Sequence, residues 1–61
     1  MKRKDVVRHL NENGCILKRE GGSHSVFFNN ANKKTSTVPR HNEINDYLVK
    51  KICKDLEIKN P

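Results

Sequence analysis

Two helices flanking a three-stranded antiparallel sheet, in the order α-β-β-β-α, is the α+β fold this sequence predicts. Three observations carry it. Apolar residues recur at helical spacing near both ends, at Val6, Val7 and Leu10 and again at Leu48, Val49, Ile52, Cys53 and Leu56. Between these stripes lie three short segments rich in β-formers, separated by breaks of Gly, Asn and Ser. The chain has 61 residues, enough for one small domain, 1–61, burying about 60% of the surface its unfolded form exposes. That length excludes a two-domain enzyme, a Rossmann or barrel scaffold, and a deep pocket closed by a lid.

The elements follow in order. Arg3 to Glu12 reads as an amphipathic helix, with Arg3, Lys4, Arg8 and Glu12 left mainly to solvent. Asn13-Gly14 ends it, because both residues tolerate a left-handed C-terminus. Cys15 to Arg19 is the first strand. Glu20-Gly21-Gly22-Ser23 is the turn after it, with the paired glycines expected to supply positive φ. His24 to Phe28 is the second strand and Thr35 to Val38 the third, with a loop of Asn and Lys from Asn29 to Lys34 between them. Pro39 lacks an N–H and is expected to stop the ladder. Asn45 or Asp46 caps the last helix, whose polar side carries Lys50, Lys51, Lys54 and Asp55. Short turns favour a meander. Both helices on one face would bury both apolar stripes and leave the other sheet face to water.

Charge points to a partner. Thirteen Lys and Arg against seven Asp and Glu give a formal net charge of +6 and a pI near 9.7. A basic surface of this strength suits RNA, DNA or an acidic protein. No apolar run approaches the roughly 18 residues of a membrane span, and no secretion signal is read at the N-terminus. Cys15 and Cys53 lie far apart with no CxxC, so they read as small buried hydrophobes in a reduced compartment, expected to be the cytoplasm.

Few residues offer chemistry. Strand parity sends His24, Val26 and Phe28 to one side and Ser23, Ser25 and Phe27 to the other. With Phe27 toward the helices, His24 stands on the open face among cations. Imidazole is the side chain that ordinarily exchanges protons near neutrality, so His24 is a candidate general acid or base. His41, near the end of the third strand, is within reach of the same face. The three histidines show no i, i+4 pair and no carboxylate cluster, so neither a metal nor a cofactor is expected. Ser23 and Ser25 lack the G-x-S-x-G elbow of a hydrolase. No GK[ST] follows the glycine pair, so it is not a phosphate loop. Phe28, on the open face, is a candidate platform for a nucleobase.

The stretch Arg19-Glu20-Gly21-Gly22-Ser23-His24-Ser25-Val26-Phe27 resembles the HicA toxins of type II toxin–antitoxin modules. The resemblance extends over nearly the whole chain. It includes Val7, Leu10 and Asn13-Gly14, then Gly22-Ser23-His24 with Phe27, then Thr37-Val38-Pro39-Arg40-His41. Glu43-Ile44 and the helix carrying Val49 and Ile52, with Ile58 beyond, complete it. Two departures stand out. Tyr47-Leu48 replace the glycine and threonine that usually open the last helix, and Glu57 replaces the glycine usual before the final isoleucine.

The resemblance implies a double-stranded-RNA-binding-domain-like fold. It implies a ribosome-independent mRNA interferase, an endoribonuclease with His24 as the catalytic residue. It also implies a HicB-type antitoxin that covers the active face in a hetero-oligomeric complex. Cleavage without a metal needs a base for the 2′-OH, an acid for the leaving 5′-oxygen, and cations for the phosphorane charge. Lys18, Arg19, Lys34 and Arg40 are the candidate phosphate contacts, and Gly22, Ser23, His41 and Phe28 are further candidate RNA contacts. The competing readings are a non-catalytic RNA-binding module of the same fold and an interaction protein for an acidic partner.

Overall fold

The apolar stripes at the two ends do form helices. A computed structural model of the chain describes residues 1–61. Its elements are α1 (Arg3–Glu12), β1 (Cys15–Glu20), β2 (His24–Asn29), β3 (Thr35–Pro39) and α2 (Asp46–Leu56). The strands form one antiparallel sheet in the order β1-β2-β3, so the meander expected from the short turns is the topology found.

Burial explains why the helices share one face. Val6 and Leu10 of α1 and Val49, Ile52, Cys53 and Leu56 of α2 join Cys15, Phe27, Val38 and Ile44 in one apolar cluster. The strand members of that cluster project from the same side of the sheet as the buried Ser25, Asn29 and Ser36. Each such Val, Leu or Ile contributes about 1.5–3 kcal/mol relative to an exposed one. Cys15 and Cys53 are free thiols inside the cluster, and burial pushes both above the ordinary thiol range.

Polar side chains fasten the sheet to α2. The Asn29 amide, only 4% exposed, donates to the Leu56 carbonyl at 2.7 Å, and the Asn32 amide donates to the same oxygen at 3.1 Å. That carbonyl belongs to the last turn of α2 and has no partner within the helix. The Ser36 hydroxyl donates to Asp55, which also accepts from Lys51, each at 3.1 Å. The Lys51 contact, assisted by Ser36, holds the Asp55 carboxyl below its usual range. Asn45 caps α2 by accepting from the Leu48 N–H.

Three local expectations change. Gly14 does adopt positive φ, at 80°, but Gly21 and Gly22 do not. Gly21 is needed for another reason: a Cβ there would lie 3.0 Å from the His24 carbonyl oxygen. Pro39 does not stop the ladder but stays in it, paired with His24 at the sheet edge, where no partner strand needs its missing N–H. Arg3 is half-buried rather than solvated, because its guanidinium reaches the back of the sheet.

Glu57 is the residue under strain at the end of α2. It adopts φ 57° and ψ 46°, the left-handed conformation, while its N–H and that of Ile58 close the last turn. A non-glycine residue pays about 1–2 kcal/mol for that geometry. Its exposed ion pair with Lys34, at 3.8 Å, returns at most about 0.5 kcal/mol. Glu57→Gly is therefore expected to stabilise the chain by about 1 kcal/mol, raising the melting temperature by roughly 4–8 °C. Thermal melting followed by circular dichroism checks this, and an unchanged or lower midpoint contradicts it.

Candidate active site on the open sheet face

The face of the sheet away from the helices carries His24, Val26 and Phe28 from β2, with Thr35, Thr37 and Pro39 opposite them on β3. On β1, simple alternation from the buried Cys15 would send Arg19 toward the helices. The structure does otherwise. Leu17 pairs with Phe27 but Arg19 pairs with Val26, so Lys18 is the extra residue of a β-bulge. A bulge re-aims the side chains that follow it. Arg19 is thereby turned onto the open face, in the row beside His24. Lys18 and Arg19 line a shallow hollow there with Val26 and Thr35.

The same bulge sends Glu20 the other way, into register with Ser25. The Ser25 hydroxyl, fully buried, donates to the Glu20 carboxylate and accepts from Arg3 Nη2 at 2.8 Å. Arg3 Nε donates to the Pro39 carbonyl at 3.0 Å. Arg3 thus ties α1 to the residue after His24 and to the residue paired with it. Ser25 is committed to this network behind the sheet, and the nucleophile role weighed for it falls away. The network was missed in the sequence, although parity supplied a signal: a buried hydroxyl needs partners.

A second clamp fixes the turn before His24. Gly21 N–H donates to the His24 carbonyl at 2.7 Å. Arg40 Nη1 donates to the Gly21 and Gly22 carbonyls at 3.2 and 3.3 Å, and the Arg40 N–H donates to the Ser23 carbonyl at 3.3 Å. Arg40 is exposed, and its Nη2 and Nε N–H groups have no partner within the chain, which leaves them to an anion. Gly22, Ser23 and His24 are all exposed along this rim.

The other named residues divide. Lys18 Nζ sits over the Phe28 ring, 5.3 Å from its centroid. Lys34 does not join this face; its ammonium is directed at Glu57, at the end of α2. Its neighbour Lys33, which sequence reasoning passed over, extends over Phe28 instead, at 5.6 Å. His41 is exposed on the bend two residues beyond Pro39. His9 lies on α1 and bonds the Lys59 carbonyl at 2.8 Å, which gives it an anchoring role. No group of three His, Cys, Asp or Glu side chains converges in a way that could hold a metal ion. No acidic residue occupies an open-face position on the three strands, so the charged side chains that share this face with His24 are cations.

A glycine-serine-histidine turn feeding a cationic sheet face, between two helices on the opposite side, invites comparison with known proteins. The model of the HicA toxin of bacterial toxin–antitoxin systems matches residues 3–58. The chain belongs to the HicA toxin family. No curated protein and no solved structure matches it. Family membership brings the toxin role within a toxin–antitoxin module, and with it an antitoxin partner in general terms. The HicA match spans every element, from the first residue of α1 to Ile58, which packs on the core beyond α2. No helix of this HicA chain is long and apolar enough to cross a membrane.

Proposed function

We propose that this HicA toxin is an endoribonuclease that cuts messenger RNA without the ribosome and without a metal ion. His24 performs one of the two proton transfers. What supports the reading is the position of His24: exposed, on a face free of carboxylates, beside Arg19, and held by clamps on both sides of the sheet.

The chemistry follows from that arrangement. The 2′-oxygen attacks the adjacent phosphorus and the bond from phosphorus to the 5′-oxygen breaks. The 2′-hydroxyl proton passes to a base and the leaving 5′-oxygen takes a proton from an acid. Arg19 and Arg40 balance the charge that grows on the phosphorane oxygens, and a guanidinium grips such a group through two parallel N–H bonds. His24 serves as base or acid; His41 or a water serves as the other. The antitoxin, of the HicB type, covers this face in a hetero-oligomeric complex. A partner that binds only the folded chain also stabilises it by mass action.

Product chemistry tests the mechanism. A labelled RNA incubated with the chain in EDTA is expected to be cut, giving 2′,3′-cyclic phosphate and 5′-hydroxyl ends. Ends carrying 5′-phosphate and 3′-hydroxyl overturn the transphosphorylation route. Binding without any cutting overturns the nuclease reading in favour of an RNA-binding module.

A further inference from the structure

We infer that Lys18, Phe28 and Lys33 form a second subsite on the open face. It holds a phosphate and the adjoining base of a single-stranded RNA, beyond the nucleotide next to the scissile bond. The inference rests on the nuclease reading for the location of the scissile phosphate at His24. It adds Lys33, a substrate length and a strand path.

The first argument is charge. Two ammonium groups converge on one half-buried aromatic ring, at 5.3 and 5.6 Å from its centroid. The ring face attracts each cation, but the two cations repel one another and no carboxylate stands between them. Neither ammonium is in an ion pair, and Glu20, two residues from Lys18, and Glu57, paired with the neighbouring Lys34, are engaged elsewhere. A phosphate bound at either ammonium lowers that repulsion. Beside the ring lies Ile16, its register partner, 54% exposed. Cations over an apolar, aromatic floor are the recurring means of holding a single strand: phosphates go to the lysines and bases to the π-face.

The second argument is the backbone that presents Lys33. This residue adopts φ 65°, the left-handed region, without being glycine. Such a conformation persists only where the surroundings over-determine it. Here they do. Lys33 N–H donates to the Asn29 carbonyl and Asn29 N–H donates to the Lys34 carbonyl, each at 2.8 Å. The side-chain oxygens of Asn29 and Asn32 accept from Ala31 N–H and Lys34 N–H, while both amides hold the Leu56 carbonyl. The loop is wired to α2, and the result is one lysine directed over Phe28 and the next directed away to Glu57.

Geometry sets the length. His24 and Phe28 lie on the same face of β2 four residues apart, about 13 Å at the rise of a strand. That exceeds the separation of neighbouring phosphates, so a strand running along β2 reaches Phe28 only beyond the first nucleotide step. Duplex RNA keeps its bases stacked inside, so only an unpaired strand can lay a base on the ring.

The test uses the full chain with His24→Ala as the non-cutting background. Anisotropy of a fluorescent single-stranded octanucleotide is read at several salt concentrations. Lys33→Gly keeps the left-handed backbone and removes the ammonium, so the fold is not at risk. It is expected to weaken binding about fivefold and to lower the salt slope by about 0.7, the value for one lost phosphate contact on a single strand. Phe28→Leu is expected to weaken binding about tenfold. Lys50→Ala, which removes an equal charge from α2, is expected to leave binding and slope unchanged. With His24 present, Lys33→Gly is expected to lower kcat/KM on the octanucleotide through KM while sparing a dinucleotide. If Lys33→Gly matches its background in affinity and slope, or if Lys50→Ala weakens binding equally, the subsite is overturned. In the first case the face is left to a protein partner. Lys33-dependent binding by a chain that never cuts RNA would instead keep the subsite and overturn the nuclease reading.

Discussion

His24→Ala is expected to slow RNA cleavage by about 10²–10⁴-fold, the contribution of one positioned proton-transfer group. The same change is expected to shift stability by no more than about 0.5 kcal/mol, as for other exposed positions. The two halves of this expectation come from different atoms. The imidazole is exposed, so its removal leaves no cavity. The His24 backbone keeps its bond from Gly21 N–H and its pairing with Pro39. Turn and row therefore hold with alanine in place, and a lost rate cannot be ascribed to a lost fold. His24→Gln sharpens the test, since glutamine retains size and hydrogen bonding but does not exchange protons near neutrality; it is expected to be as slow as alanine. Single-turnover cleavage of a labelled RNA, read beside a melting curve for each variant, measures both. A glutamine variant that cuts at the parent rate would remove His24 from the chemistry.

Much of the fold was legible because its signals are periodic. The i, i+3, i+4 spacing of Val6, Val7 and Leu10 and of the α2 stripe puts both helices in place, and alternation in β2 separates His24 from Phe27. What the sequence hid were the breaks in periodicity. The bulge at Lys18 is a single extra residue with no compositional mark, yet it decides that Arg19 pairs with Val26, on the face that carries His24, and that Glu20 pairs with Ser25. The direction of Lys33 and Lys34 depends on one left-handed residue and on two asparagines reaching α2. Nothing in a run of Asn and Lys distinguishes them. The helical pattern predicts a solvated Arg3 because its partners, Ser25 and the Pro39 carbonyl, lie far along the chain. Glu57 was different: its departure from the family's glycine was visible, and its left-handed φ gives that departure a physical meaning.

Phe27→Ala is expected to unfold the chain in the absence of a partner, whereas Phe28→Ala one residue away is expected to leave it folded. Truncating a buried phenylalanine costs about 3–5 kcal/mol in lost transfer energy and residual cavity. The whole stability of a domain this size is roughly 3–9 kcal/mol, so the loss is comparable with the total. Phe27 is 3% exposed, on the central strand, in the cluster shared by both helices. Phe28 faces away from that cluster and packs beneath the Lys18 and Lys33 ammonium groups. Its removal gives up part of one aromatic contact and two cation–π interactions worth about 0.5–1 kcal/mol each at an exposed site. Urea titration of the two variants separates them, and equal loss would mean that the strand's two faces are not the distinct environments described here. The asymmetry also bears on function. The toxin spends one phenylalanine on holding the sheet against its helices and leaves the next free for what lies on the open face. That division lets substrate contacts be altered at Phe28 with the scaffold under His24 intact.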